Sequence, residues 1–244
     1  MAFLHNLFHK FLWLQYGFGI WPMSNQSGLK KSLIFNSSSS VRLVQWSQGI
    51  DCCTWSGVEC DVAGPVIGLD LSEESISGGI ENSTGLFSLQ HLQSLNLAYD
   101  QFKASQIPSV LANLTNLTYL NLSNGGFAGQ IPFEISSMTR LVTLDLSTFS
   151  FIGSARLKLE NPNLNLFVQN LPELRNLYLD GVNISAQGNE WCQALSSSLP
   201  NLQVLSLSSC FLSGPINPSL ANLRSLSVIR LDDNNLVSNS RVFG

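Results

Sequence analysis

The sequence predicts an α/β solenoid, a stack of short strands and return segments wound into one coil after another. Three observations carry that prediction. In the stretch Leu117-Thr-Tyr-Leu120-Asn-Leu122, the last two leucines point to one side of a short strand while Tyr119 and Asn121 point to the other. The pattern then recurs. Aligned on the middle leucine, copies fall at Leu69, Leu95, Leu120, Leu144, Leu177, Leu205 and Ile229, with successive steps of 26, 25, 24, 33, 28 and 24 residues. Each strand is followed by a return path such as Phe127-Ala-Gly129-Gln-Ile131-Pro132, where apolar anchors alternate with residues that bend the chain and keep it out of the sheet. One coil cannot bury its own leucines, so neighbours must stack on it.

Steps of roughly 20 to 29 residues are those of a leucine-rich repeat, and the 33-residue step is the exception. A chain of 244 residues with 44% hydrophobic content could form one or two compact domains, but the fixed period favours one elongated unit, assigned to residues 65–244. Only 11% of residues are charged and the net charge is −4. Lys and Arg are too few and scattered to line a nucleic-acid groove or a membrane-surface patch. Ser and Asn supply the polar surface instead, which suits a protein or peptide ligand.

Residues 1–28 read as a leader: Lys10 precedes about ten mostly apolar residues, the outline of a secretory signal, interrupted by Gln15. The apolar run is shorter than the roughly 20 residues of a membrane span. A decayed or mis-assigned start is the competing reading. Residues 29–64 are assigned to a cap. Apolar spacing from Leu29 to Phe35 predicts a short amphipathic helix, the serine run Ser37 to Ser40 breaks it, and Val41 to Trp46 predicts a second turn. Beyond it, Asp51-Cys-Cys-Thr-Trp55-Ser-Gly-Val-Glu-Cys60 is a Trp-rich, cysteine-bearing element suited to covering the exposed face of a first coil.

The run Cys52 to Cys60 resembles the cap motif of plant leucine-rich-repeat receptor-like proteins. Four further stretches, Leu95 to Tyr99, Leu157 to Leu164, Leu177 to Gly181 and Glu190 to Gln193, narrow the resemblance to the Verticillium wilt resistance type. The resemblance covers roughly residues 30–244. It implies a right-handed superhelix of plant-type repeats, with a second small strand at the Ile-Pro ends, and a cap pinned by Cys53 and Cys60. It also implies a partner for Cys52 some forty residues upstream, yet no cysteine precedes Cys52. Cys52 is then a free thiol, or pairs elsewhere, or the start of the gene differs. The family's receptors sit at the cell surface through a single membrane span and act with partner receptor kinases. They continue into further coils, a second cap and a tail, so this chain reads as truncated.

Strand positions facing away from the leucines form two rows: Gly68, Ser94, Tyr119, Thr143, Asn176, Val204, Val228, and Asp70, Asn96, Asn121, Asp145, Tyr178, Ser206, Arg230. From them Tyr119, Asn121, Asp145, Asn176, Tyr178, Ser206 and Arg230 are the ligand-face candidates; the competing reading is that most only keep an exposed strand soluble. Three residues after the last strand leucine a bend residue, usually Asn, is required, and here that position holds Asp100, Gly125, Phe149, Val182, Cys210 and Asn234. The long step predicts an irregular outward insertion over residues 148–172. Cys192 and Cys210 lie in consecutive coils and are read either as a disulfide or as two buried thiols.

Sequons at Asn82, Asn113, Asn116 and Asn183 are candidate glycosylation sites, with Asn82 and Asn113 the better placed. No His cluster, phosphate loop or nucleophile elbow occurs, so neither catalysis nor a metal or other cofactor is predicted. The function predicted is an extracellular recognition module of a plant immune receptor-like protein, acting through leucine-rich-repeat receptor kinases. Two alternatives stand beside it: a secreted inhibitor or decoy of polygalacturonase-inhibitor type, and a non-functional gene fragment.

Overall fold

The computed structural model of the chain describes residues 23–149 and 156–237. Residues 1–22 of the signal-like segment therefore lie outside the described residues, and 23–28 open the first helix. The three-residue alternation of each repeat yields one short strand: β3 (Val66–Asp70), β5 (Ser94–Asn96), β6 (Tyr119–Asn121), β8 (Thr143–Asp145), β10 (Asn176–Tyr178), β11 (Val204–Ser206) and β13 (Val228–Arg230). These pair in parallel, in that order, and β2 (Val58–Cys60) joins antiparallel to β3 at the edge. Register is unbroken. Leu69, Leu95, Leu120, Leu144, Leu177, Leu205 and Ile229 are successive partners, and the 33-residue step between Leu144 and Leu177 leaves the ladder unshifted. The first six of these are at most 2% exposed, whereas Ile229 is 41% exposed.

The returns form a second, discontinuous tier of strands: β4 (Ile76–Gly78), β7 (Gly129–Gln130) with β9 (Leu157–Lys158), and β12 (Ser213–Pro215) with β14 (Asn235–Val237). Beyond them run single 3-10 turns at Ser109–Asn113, Phe133–Ser137 and Pro218–Asn222. Phe102 and Phe127 stack between consecutive returns with centroids 4.2 Å apart.

The cap differs in detail from its prediction. Helix α1 (Met23–Ser32) ends before Phe35, and Ile34–Phe35 is instead a strand, β1, antiparallel to β4. The apolar spacing that suggested a helix serves sheet pairing against the first return. Trp46 stacks on Trp55 at 4.8 Å, and both rings are buried with Leu29, Leu33, Leu43 and Cys52. Glu74, absent from the sequence reading, locks this cap to the first coil. Its buried carboxylate accepts from the Val41, Arg42 and Leu43 amides and the Ser40 hydroxyl. Arg42 approaches it at 3.7 Å. Those hydrogen bonds to the carboxylate hold the Glu74 pKa below its ordinary value against the desolvation of the site.

The long step is more regular than predicted. Of residues 148–172, positions 150–155 lie outside the described residues. The remainder supplies β9 and helix α3 (Leu164–Val168), N-capped by Asn163, whose Oδ1 accepts from the Leu166 amide at 3.0 Å. Leu157, Leu159, Leu164, Phe167, Val168 and Leu171 are buried in the common core. An apolar residue at each of those positions is what turns the insertion inward.

Candidate functional site

The side of the sheet opposite the leucines is the candidate site, because register places both polar rows across seven adjacent strands, about 30 Å at roughly 4.8 Å per strand. The first row begins at Gly68, where a side chain would collide with Glu59: an added Cβ would lie 2.9 Å from the Glu59 Cβ. The cap therefore covers that end of the row.

Much of the second row is engaged by the backbone. Asp70, Asn96, Asn121 and Asp145 each accept, through Oδ1, from the amide two residues on, at 2.9 to 3.1 Å. These Asx turns end the strands. Asn121 also donates from Nδ2 to the Tyr119 hydroxyl at 3.2 Å, and Asn176 donates to Thr143 Oγ1 at 2.9 Å across the strand pair. Burial raises the Asp145 pKa, with the negative charge of Asp180 adding to it and the Ser147 amide opposing it.

Ser206 is a correction to the ligand-face set. It is 1% exposed, and its hydroxyl donates to both Asp180 oxygens at 2.8 Å. Asp180, one residue past the second leucine of its strand, also accepts from the Ser208 amide at 2.7 Å. In place of an Asx turn from Ser206, Asp180 of the preceding coil caps that strand end. The signal present in the sequence was a serine, Ser206, at the strand position that Asp or Asn holds in four other coils. Tyr119 and Tyr178 are half-buried with their rings on the open face, and Arg230 is exposed.

Cys53 and Cys60 form a disulfide, and Cys52, Cys192 and Cys210 are buried free thiols. The Cys192–Cys210 bridge is therefore corrected. The two sulfurs face different neighbours: Cys210 donates to the Leu179 carbonyl at 3.0 Å in the preceding coil, while Cys192 lies against the Asn217 backbone in the following return. Burial pushes the Cys192 thiol up to about 11 and the Cys210 thiol up to about 12. The sulfur of Cys52 lies within 4.8 Å of the bridged pair.

Among the sequons, Asn82 and Asn113 are exposed. Asn116 is tied down, donating to Gln90 O at 2.7 Å and accepting from Arg140 at 3.2 Å, and Asn183 accepts from Ser185. A lateral cleft of about 820 Å³ lies between the long step and helix α4 (Gly188–Ser198), lined by Glu160, Asn165, Ser185, Glu190, Trp191 and Gln193 among others. No helix among the described residues is long and apolar enough to cross a membrane.

Residues 28–61 match the family model for the leucine-rich-repeat N-terminal domain, and residues 116–138 and 201–223 match that for the leucine-rich repeat. Receptor-like protein 6 of Arabidopsis thaliana is 36% identical over 204 residues, which is 83% of this chain and 20% of that protein. The chain belongs among the plant leucine-rich-repeat receptor-like proteins. Receptor-like protein EIX1 of Solanum lycopersicum is 36% identical over 210 residues, 78% of this chain and 19% of the relative. The chain thus spans about a fifth of the length of these receptor-like proteins. Two solved structures share its fold. The ectodomain of the Arabidopsis thaliana receptor kinase GASSHO1/SCHENGEN3, in complex with Casparian strip integrity factor 2, superposes with a TM-score of 0.66 at 23% identity, over 88% of this chain and 24% of that one. The PEPR1–AtPEP1 structure gives 0.62 at 26% identity, over 88% and 28%.

Proposed function

We propose that the chain is a non-catalytic, extracellular recognition segment of a plant immune receptor-like protein, and that its inner sheet contacts a protein or peptide ligand. The observation that carries this reading is the register that sets Tyr119, Asn176, Tyr178 and Arg230 on one open face while their neighbours are spent on strand ends. Aromatic rings and a guanidinium on a rigid sheet contribute contact area with little loss of side-chain freedom. PEPR1 is solved with AtPEP1, and that likeness supports a peptide as the ligand class here. The family resemblance supports signalling through partner receptor kinases. Export through the secretory pathway places the protein at the cell surface, with glycans on Asn82 and Asn113. The Verticillium-type resemblance supports a pathogen-derived ligand.

A displayed peptide library selected on the secreted protein tests this reading. Peptides enriched on the wild type should lose at least tenfold in affinity on Tyr119→Ala with Tyr178→Ala, and little on Gln193→Ala in the lateral cleft. Equal binding to all three proteins removes the inner sheet as the recognition face.

A further inference from the structure

The bend position three residues past each second strand leucine has a fixed surrounding, visible wherever it is filled differently. Asn234 accepts at Oδ1 from the Cys210 and Leu212 amides, and its Nδ2 donates to the carbonyls of Leu207 at 2.7 Å and Leu231 at 2.9 Å. Cys210 donates its thiol to the Leu179 carbonyl. At Gly125 an added Cβ would stand 3.1 Å from the Leu122 carbonyl and 3.3 Å from that of Leu97. At Gly125, Cys210 and Asn234 the position therefore faces carbonyls of second leucines, and Cys210 and Asn234 meet them with a donor.

Asp100 occupies this position one coil after Glu74. Its Oδ1 accepts from the Ile76 amide at 2.9 Å, as Asn234 does from Leu212. Its Oδ2 stands where Asn234 has its NH2 group. That oxygen is buried and has no hydrogen-bond partner, and the residue is 5% exposed. The equivalent carbonyls, Leu71 and Leu97, receive no hydrogen bond in the network of the described residues. An ionised carboxylate there would set oxygen against oxygen, whereas a neutral acid carries the one proton the site lacks.

We propose that Asp100 is held as the neutral acid, donating from Oδ2 to the Leu71 or Leu97 carbonyl, so that the junction between cap and repeats is a proton-operated latch. The proton comes from solvent and returns to it on opening. Burial is the first cause of an Asp100 pKa raised to about 7. The negative charge of Glu74 adds to the rise, and the Ile76 and Glu74 amides and Arg42 oppose it. Lys103 lines the same shallow cleft, and the next coils face it with Gly126, Phe127, Thr148 and Phe149, which carry no charge. Ile76, bound through Asp100, lies two residues from Glu74, which fastens the cap.

The sign follows from linkage. A carboxyl whose folded pKa lies above its unfolded value stabilises the fold fully below about pH 4, and that contribution is lost as pH rises to about 7. Glu74 works the other way, since its lowered pKa contributes stability that is lost on acidification.

The test is urea unfolding of the secreted chain and of Asp100→Asn between pH 4 and pH 8, followed by far-ultraviolet circular dichroism. The asparagine supplies the missing N–H donors at every pH. The wild-type folding constant, divided by that of the variant, should fall roughly a hundred- to a thousandfold across this range. A ratio that stays constant overturns the proposal. Should the variant fail to fold, the Asp100 carboxyl carbon can be titrated by NMR in the wild type: a midpoint above pH 6 supports the latch, and one near pH 4 sinks it. Neither measurement involves the ligand, so failure here leaves the recognition reading untouched.

Discussion

The coils of β3 to β8 and those of β10 to β13 share one leucine spine but close their strands by different means. In the first group the last strand residue, Asp70, Asn96, Asn121 or Asp145, caps its own turn. In the second, Tyr178 and Ser206 do not, and Asp180 reaches across from the coil of β10 to the strand-end amide of Ser208 in the next. The returns vary independently of that division: 3-10 turns follow β5, β6 and β11, while helices α3 and α4, with Phe167 and Trp191 fully buried, follow β8 and β10. A stacked coil therefore fixes the leucine register strictly and the turn chemistry loosely. Any residue that presents an acceptor to the strand-end amide will serve. Tyr178, which has no capping role, stays half-buried on the open face.

That contrast can be broken at its base. Leu120→Ala and Leu177→Ala each remove a fully buried side chain from the spine and should each cost about 2–5 kcal/mol in urea unfolding. A cost under about 1 kcal/mol at Leu177 would show that the second group does not share the load of the first. A smaller effect sharpens the difference in capping. Asp180→Ala strands the Ser208 amide and the buried Ser206 hydroxyl and should cost about 1–3 kcal/mol, while Asn121→Ala, losing its turn bond and its contact with the half-buried Tyr119 hydroxyl, should cost about 1 kcal/mol. Equal losses would mean that cross-coil capping has no special weight. Least in energy but cleanest in readout is the thiol count. Under non-reducing conditions Cys52, Cys192 and Cys210 should resist alkylation in the native protein and all three react once it is denatured. Native labelling of Cys192 or Cys210, or a peptide linking them in mass spectra, would contradict their separate burial.

The repeats were legible because a core strand leaves a residue pattern that needs no partner to be seen. Leu69 through Leu205 stand in the order their spacing gives, and the cap disulfide joins the two cysteines that the family resemblance paired. The face was less legible. Asn121 and Ser206 read alike as polar residues between leucines, yet one ends a turn of its own coil and the other is buried against Asp180 of the coil before. The role of Glu74 was hidden for the same reason, since its partners lie more than thirty positions earlier. The apolar residues that turn the long step inward were in plain view, but the pairing of its β9 with β7 of the coil before was not.

By itself the amino-acid order determined the period, the strands and the buried spine, because hydrophobic alternation acts within a few residues of chain. Only the stacked structure decided which polar groups meet across coils: Asp180 with Ser206, Glu74 with the cap, Asp100 beside the carbonyls that want its proton. Hydrogen bonds act over about 3 Å in space, and their partners here lie a full turn of the coil apart in sequence.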